Sequence, residues 1–460
     1  MAAQTRVSFV SLGCAKNVVD SEKMLGQLAE AGCAITADED DADVTVINTC
    51  GFLEASRTEA DEVIREAVGR KAEGSLKRVV VAGCLVQRDK EAILERIPGV
   101  DALVGVNNRD DIVRAVLGKN GHSPRRTTDL FLADYHPFVQ LDTARLRITP
   151  RHYGYLRISE GCDQKCTFCT IPSIRGKMHC KPPEVVLAEA RELVGDGVVE
   201  LNLIGQDTTS YGLGDDRIQG GLAGLLRALN GVDGLRWIRL MYVYPSVFSD
   251  EMIEAIAGCD KVCKYIDLPL QHINDRVLKA MHRRVTRQQT EDLLERLRQR
   301  IPGVSIRTTL IAGFPGETDC EFAELVEFIE GFRFDALGVF PYSQEPDTPA
   351  GRMRQQLPEQ VKRQRVDTLM QSQQEVAFSL ADERVGSQLE VLIDDRDHGT
   401  LAARHEGQAP SVDSVTYVQG CDAKPGEFVS VRCVGRKDYD LVAKPTRVAL
   451  PVVTGSCPTT

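Results

Sequence analysis

The 460-residue chain contains no run of eighteen apolar residues, so no membrane-spanning helix is expected. Its start, Met1 to Arg6 followed by the short apolar stretch Val7 to Leu12, lacks the longer apolar core and small-residue cleavage site of a secretory signal, and a cytoplasmic location is the expectation. Basic charge is short as well. The formal net charge of -11 offers no chain-wide attraction to nucleic acid or an anionic membrane, and favours a basic partner. Low-complexity tracts are absent, and so is any repeat beyond an alternation of strand-like and helix-like segments.

What the chain has is length, apolar content and cysteine. At 42% hydrophobic it can bury two to three cores of ordinary domain size. Fourteen cysteines in a long chain without an export signal point to metal or redox chemistry before a disulfide framework.

Residues 1–120 alternate apolar runs, Val7 to Leu12, Val44 to Asn48 and Val79 to Ala82, with Ala/Glu/Leu-rich helical sequence, which predicts a parallel sheet covered by helices. Residues 121–150, with Gly121, Pro124, Pro137 and Pro150, read as an irregular connector. From 151 to about 380 six more strands are predicted: Tyr155 to Ser159, Val199 to Ile204, Trp237 to Tyr242, Tyr265 to Leu268, Ser305 to Ile311 and Ala336 to Phe340. Six such units suit a complete or partial βα barrel. A polar helix over Pro358 to Val385 follows, and residues 386–446 turn to short β-rich runs, the pattern of a small all-β barrel.

The sharpest local signal is Cys162-Asp163-Gln164-Lys165-Cys166-Thr167-Phe168-Cys169, directly after a predicted strand. Three thiolates so close can wrap one iron-sulfur cubane and leave its fourth iron open to a ligand. Zinc is the competing reading, with His179 and Cys180 near enough in sequence to complete a set. A second trio is dispersed: Cys14, Cys50 and Cys84 each end a predicted strand, at intervals of one βα unit, so a parallel sheet gathers them at its C-terminal edge. The other eight, Cys33, Cys180, Cys259, Cys263, Cys320, Cys421, Cys433 and Cys457, read as core filler or inert thiols, with Cys259 and Cys263 on adjacent turns of one helix.

The loop Cys162 to Cys169 resembles the cluster loop of the radical S-adenosylmethionine (SAM) superfamily. That resemblance implies that the open iron chelates S-adenosylmethionine and that an electron through the cluster yields a 5'-deoxyadenosyl radical. It also implies cofactor contacts from Phe168 and from Gly205, Gln206 and Gly313, which follow apolar strands where a barrel has its mouth. With the dispersed trio and the terminal β-barrel, essentially the whole chain resembles the methylthiotransferase family. The implied architecture is α/β: an N-terminal parallel-sheet domain, a central radical-SAM partial (βα)6-type barrel and a small TRAM-like β-barrel. Two 4Fe-4S clusters are implied, one on Cys162, Cys166 and Cys169 for radical formation and one on Cys14, Cys50 and Cys84 for the sulfur. A low-potential electron donor such as flavodoxin or ferredoxin is implied as a partner.

The stretches Phe9 to Glu22, Gln206 to Gly212 and Ile266 to His272 resemble the branch of that family acting on the β-carbon of an aspartate in ribosomal small-subunit protein twelve; Ala15 departs from the proline expected there. The terminal barrel agrees on physical grounds. Residues 386–443 hold ten Asp or Glu against six Lys or Arg, a net of -4, which suits a basic protein better than RNA, so direct nucleic-acid binding is not expected. A transfer-RNA methylthiotransferase and a non-catalytic iron-sulfur scaffold are the alternatives.

Overall fold

The computed structural model describes residues 4–118, 128–134, 139–397 and 400–446. The chain divides into two compact units, Met1–Gln373 and Gln374–Thr460.

The first unit holds two six-stranded parallel sheets. Strands β1 (Arg6–Ser11), β2 (Ala34–Thr36), β3 (Val44–Thr49), β4 (Arg78–Gly83), β5 (Ala102–Gly105) and β6 (Asp129–Phe131) lie in the order β2-β1-β3-β4-β5-β6. The run Val79-Val80-Val81-Ala82 shows why β4 is central. Its alternate side chains serve two cores: Val79 and Val81 pack with Ala60, Ile64 and Ala67, while Val80 and Ala82 pack with Met24, Leu28 and Ala115. Each fully buried valine contributes on the order of 1.5–3 kcal/mol.

In the second sheet β7 (Tyr153–Arg157) is followed by a two-residue antiparallel pair, β8 (Ser159–Glu160) with β9 (His179–Cys180). Then come β10 (Glu200–Ile204), β11 (Trp237–Leu240), β12 (Val262–Asp267), β13 (Ser305–Ala312) and β14 (Ala336–Pro341), in the order β7-β10-β11-β12-β13-β14. The six strands form one open sheet, so the partial form of the barrel is the one adopted.

Buried acids fasten the two sheets into one unit. Glu22 accepts from the backbone N–H of Ile148 at 3.1 Å and the Thr149 hydroxyl at 2.9 Å. Glu345, just after β14, accepts from Arg57 at 2.6 Å, Arg88 at 2.8 Å and the N–H of Glu54 at 2.9 Å.

The second unit is a closed barrel of β15 (Gln388–Asp397), β16 (Thr400–His405), β17 (Thr416–Val418), β18 (Phe428–Lys437) and β19 (Asp440–Pro445), in the order β15-β16-β17-β19-β18. Val391, Ile393, Leu401, Ala403, Val418 and Val431 fill it.

Several details depart from the sequence reading. The stretch read as a connector contains β6, which pairs with β5. Cys259 follows the helix Asp250–Gly258 while Cys263 lies on β12, so the two do not share a helix. Acidic Asp394 and Asp395 lie within β15, and Asp394 grips Arg404 through two hydrogen bonds of 2.6 and 2.8 Å. Cys457 lies outside the described residues.

Candidate cluster-binding site

The ends of β1, β3 and β4, neighbours in the first sheet, bring Cys14, Cys50 and Cys84 to one edge. Glycines make the close approach possible. A Cβ on Gly13, at φ +98°, would sit 2.9 Å from Cys50 Cβ, and one on Gly51 would sit 2.8 Å from the Cys84 carbonyl. Gly83 adopts φ 98° and ψ -155°, a region open essentially to glycine alone, and so aims Cys84 into the first turn of the helix Cys84–Asp89. Burial pushes the Cys84 thiol up to about 12 and the Cys50 thiol above its usual value. Cys14 is solvent-exposed; its crowded surroundings oppose ionisation, but Lys16 and Arg175 outweigh them and lower its thiol.

The second trio sits on one loop after β8. Gly161, at φ +77°, opens it where a Cβ would collide with the Lys177 carbonyl at 2.1 Å. The loop is pinned by Thr167 N–H to Met281 O at 3.0 Å, by the Thr167 hydroxyl to Ala280 O at 2.8 Å, and by Ala350 N–H to Thr167 O at 2.9 Å. Burial pushes the thiols of Cys162 and Cys169 up to about 12. Arg283 approaches Cys166 Sγ at 3.8 Å.

Arg175, on the short helix Ile171–Arg175 just past Cys169, links the trios. It donates to Cys84 Sγ at 3.2 and 3.3 Å, to Asn17 Oδ1 at 2.9 Å, to Asp20 at 3.0 Å and to Glu160 at 2.9 Å. Behind it Arg157 pairs with Asp20, Asp142 and Glu160 at 2.6–2.8 Å, and Lys181 with Asp142 at 2.8 Å. Although burial alone would raise them, Asp20 and Asp142 are held below the usual carboxylate range, first by Arg157 in both cases. The network fixes the cysteine loop against the first sheet by charge-assisted bonds between buried groups.

The remaining expected cofactor contacts are distributed around this centre. Phe168 packs with Val277, Met281, Phe314 and Tyr342. Gln206 donates to Glu160 at 2.5 Å, and its own carbonyl oxygen is buried without a partner. A Cβ on Gly205 would meet Ser159 Oγ at 2.5 Å. Gly313 has a packing reason of its own: at φ +77° a Cβ would strike Lys362, and its N–H bonds to Glu317 at 3.0 Å. Sequence reasoning assigned no role to Lys16, Asn17, Asp20, Glu160 or Arg175. Lys16, Asn17 and Asp20 are polar residues on the early turns of the helix Ala15–Glu30, and only the structure shows that this polar face is buried.

The donor set fits iron-sulfur clusters. All thirteen cysteines of the described residues are free, and both trios offer sulfur alone. Among the described residues no three His, Cys, Asp or Glu side chains crowd closely enough for a single ion. A cubane presents its irons at separate corners and suits ligands spaced further apart. His179 and Cys180 do not complete a zinc set: His179 meets the Lys177 carbonyl at 2.9 Å and Cys180 Sγ accepts from Gly212 N–H at 3.3 Å.

Three family models match the chain: the Radical SAM superfamily over residues 156–329, the uncharacterized protein family UPF0004 over 6–105, and the TRAM domain over 385–445. The chain is 43% identical over 445 residues to the ribosomal protein uS12 methylthiotransferase RimO of Trichlorobacter lovleyi, covering 96% of this chain and 98% of that one. It is 45% identical over 443 residues to the protein of the same name from Anaeromyxobacter sp. (strain Fw109-5), covering 96% and 93%. Among solved structures it resembles the radical S-adenosylmethionine methyltransferase TsrM from Kitasatospora setae, solved with cobalamin and a 4Fe-4S cluster bound (TM-score 0.54, 15% identity, 76% and 77% covered). It also resembles the cobalamin-dependent S-adenosylmethionine radical enzyme OxsB (TM-score 0.50, 14% identity, 81% and 56% covered). At such identities the two structures speak to the fold alone.

Proposed function

This chain belongs to the RimO family of ribosomal protein uS12 methylthiotransferases, and on that premise we propose how its own residues divide the work. It is a radical SAM enzyme that uses two 4Fe-4S clusters and S-adenosylmethionine to add a methylthio group to uS12. When bound, these groups supply what no side chain can, the opening of a C–H bond without an acidic proton and the sulfur that replaces the hydrogen.

Cys162, Cys166 and Cys169 hold the cluster that works with S-adenosylmethionine, and Cys14, Cys50 and Cys84 hold the sulfur-carrying one. The observation that carries this division is Arg175, whose guanidinium reaches Cys84 from the short helix just past the other trio and so ties the two sites together. Gln206, Gly205 and Phe168 line the same end of the second sheet and contact the cofactor; Gly313 contributes its backbone there. The reductant is a separate low-potential protein such as flavodoxin or ferredoxin, and the enzyme works in the cytoplasm. Among the described residues no helix is long and apolar enough to cross a membrane.

Residues 386–443 of the terminal barrel carry a net charge of -4, which favours docking of a basic protein over RNA. Intact-mass analysis of uS12 from cells with and without this gene tests the assignment. The added mass of one methylthio group should appear only with the gene; methylthio-adenosine in transfer-RNA digests instead would transfer the activity to RNA.

A further inference from the structure

Lys16 is the odd member of the charged groups around the cysteine edge. It is 7% exposed, yet among the described residues its side chain forms no hydrogen bond and no ion pair; its ammonium rests on the Tyr242 ring, 3.3 Å from the centroid. Its first charge partner is the Cys14 thiol, which the edge cluster takes up in this reading, and the carboxylates within Coulombic reach, Glu160 and Asp267, are already engaged. Glu160 is held by Arg157, Arg175 and Gln206, and Asp267 by Arg307 at 2.8 Å and the N–H of Tyr242 at 3.0 Å.

A buried ammonium without a carboxylate of its own is costly, and one cation–π contact returns only about 0.5–2 kcal/mol. The partner ring is itself unusual: Tyr242, just past the end of β11, sits at φ +59°, a conformation a bulky side chain rarely adopts. Lys16 also lies two residues from Cys14, which is exposed at the sheet edge. These features describe a half-made site for a carboxylate.

We propose that Lys16 recognises the substrate, its ammonium leaving the Tyr242 face to pair with the carboxylate of the target aspartate of uS12. The inference rests on the reading of uS12 as substrate and on its aspartate as target. The reacting β-carbon is bonded directly to that carboxyl carbon, so one ion pair would hold the C–H bond between Cys14 and the mouth of the second sheet. The same pair selects an acidic side chain over a neutral amide of equal size.

The test uses full-length enzyme, anaerobically reconstituted, with uS12 and with uS12 whose target aspartate is changed to asparagine. Wild type should bind the aspartate form roughly tenfold or more tighter, the ratio that about 1.4 kcal/mol of charge-assisted pairing supplies. In Lys16→Met that ratio should collapse to about one while iron per chain stays as in wild type, and Lys16→Arg should restore part of it. A Lys16→Met enzyme that keeps the discrimination overturns the proposal. So does one that loses iron, which would make Lys16 a support of the Cys14 site. If wild type leaves uS12 unmodified, the substrate reading falls instead.

Discussion

The two cysteine trios reach the same chemistry of ligation by opposite routes. Cys162, Cys166 and Cys169 come from one eight-residue loop, whereas Cys14, Cys50 and Cys84 come from three strand ends 36 and 34 residues apart. Loop closure costs about 0.6 kcal/mol for each doubling of length, so each dispersed ligand costs roughly 2 kcal/mol more to bring in than a loop ligand. The folded first sheet supplies that difference through the packing of β1, β3 and β4. The loop site is therefore local, and the edge site is a property of the whole sheet.

The sharpest way to break this comparison is to remove ligands. Replacing Cys162, Cys166 or Cys169 with Ala should abolish deoxyadenosine formation, measured by chromatography of reaction products. Replacing Cys14, Cys50 or Cys84 should abolish methylthiolation of uS12 while deoxyadenosine still accumulates. Loss of deoxyadenosine in the second set would make the two sites one functional unit.

Arg175 joins the two routes, and its removal comes next in size. Arg175→Met strips Asp20 and Glu160 of a buried partner and should cost about 3–5 kcal/mol. It should also flatten the acid response. Asp20 and Asp142 have depressed carboxyls, so the unfolded chain binds more protons than the folded one; their stabilisation is full above about pH 4 and is lost as pH falls below it. Thermal midpoints taken from about pH 4 down to about pH 2 should fall less steeply in the variant, since Asp20 has lost one of its cations.

Glycine substitutions sharpen the contrast on a smaller scale. Gly83→Ala places a Cβ 2.3 Å from Asn48 Oδ1 in a backbone region reserved for glycine, and should cost roughly 1–3 kcal/mol with loss of edge-site iron only. Gly74→Ala, at φ +85° with open space around it, should leave iron unchanged, which an iron assay of both purified variants checks. Smallest of all, Asp395→Lys on the exposed face of β15 should slow association with uS12 at low salt and converge with wild type as salt rises, read by stopped-flow mixing.

Sequence legibility divides along the same line. The loop trio is visible as spacing, and the edge trio becomes visible once strands are read from the apolar runs before Cys14, Cys50 and Cys84. Strands β2, β5, β6 and β16 escaped: β2 and β5 because three or four residues carry too little periodicity, β6 because Gly and Pro around it read as a connector, and the six-residue β16 because Leu401-Ala402-Ala403 carries no alternation. The buried ion network was invisible for a physical reason. Arg157, Arg175, Asp20 and Asp142 look like solvated charges until tertiary structure brings them together, as do Asp394 and Arg404.

The central claim is that two separate sites each hold a cluster and that each depends on its own trio. Iron should be counted, with Mössbauer spectra, in anaerobically reconstituted wild type and in two triple alanine variants, one at Cys14, Cys50 and Cys84 and one at Cys162, Cys166 and Cys169. The account predicts about eight irons for wild type and about four for each variant. Wild type holding about four, or either variant losing nearly all its iron, would contradict it.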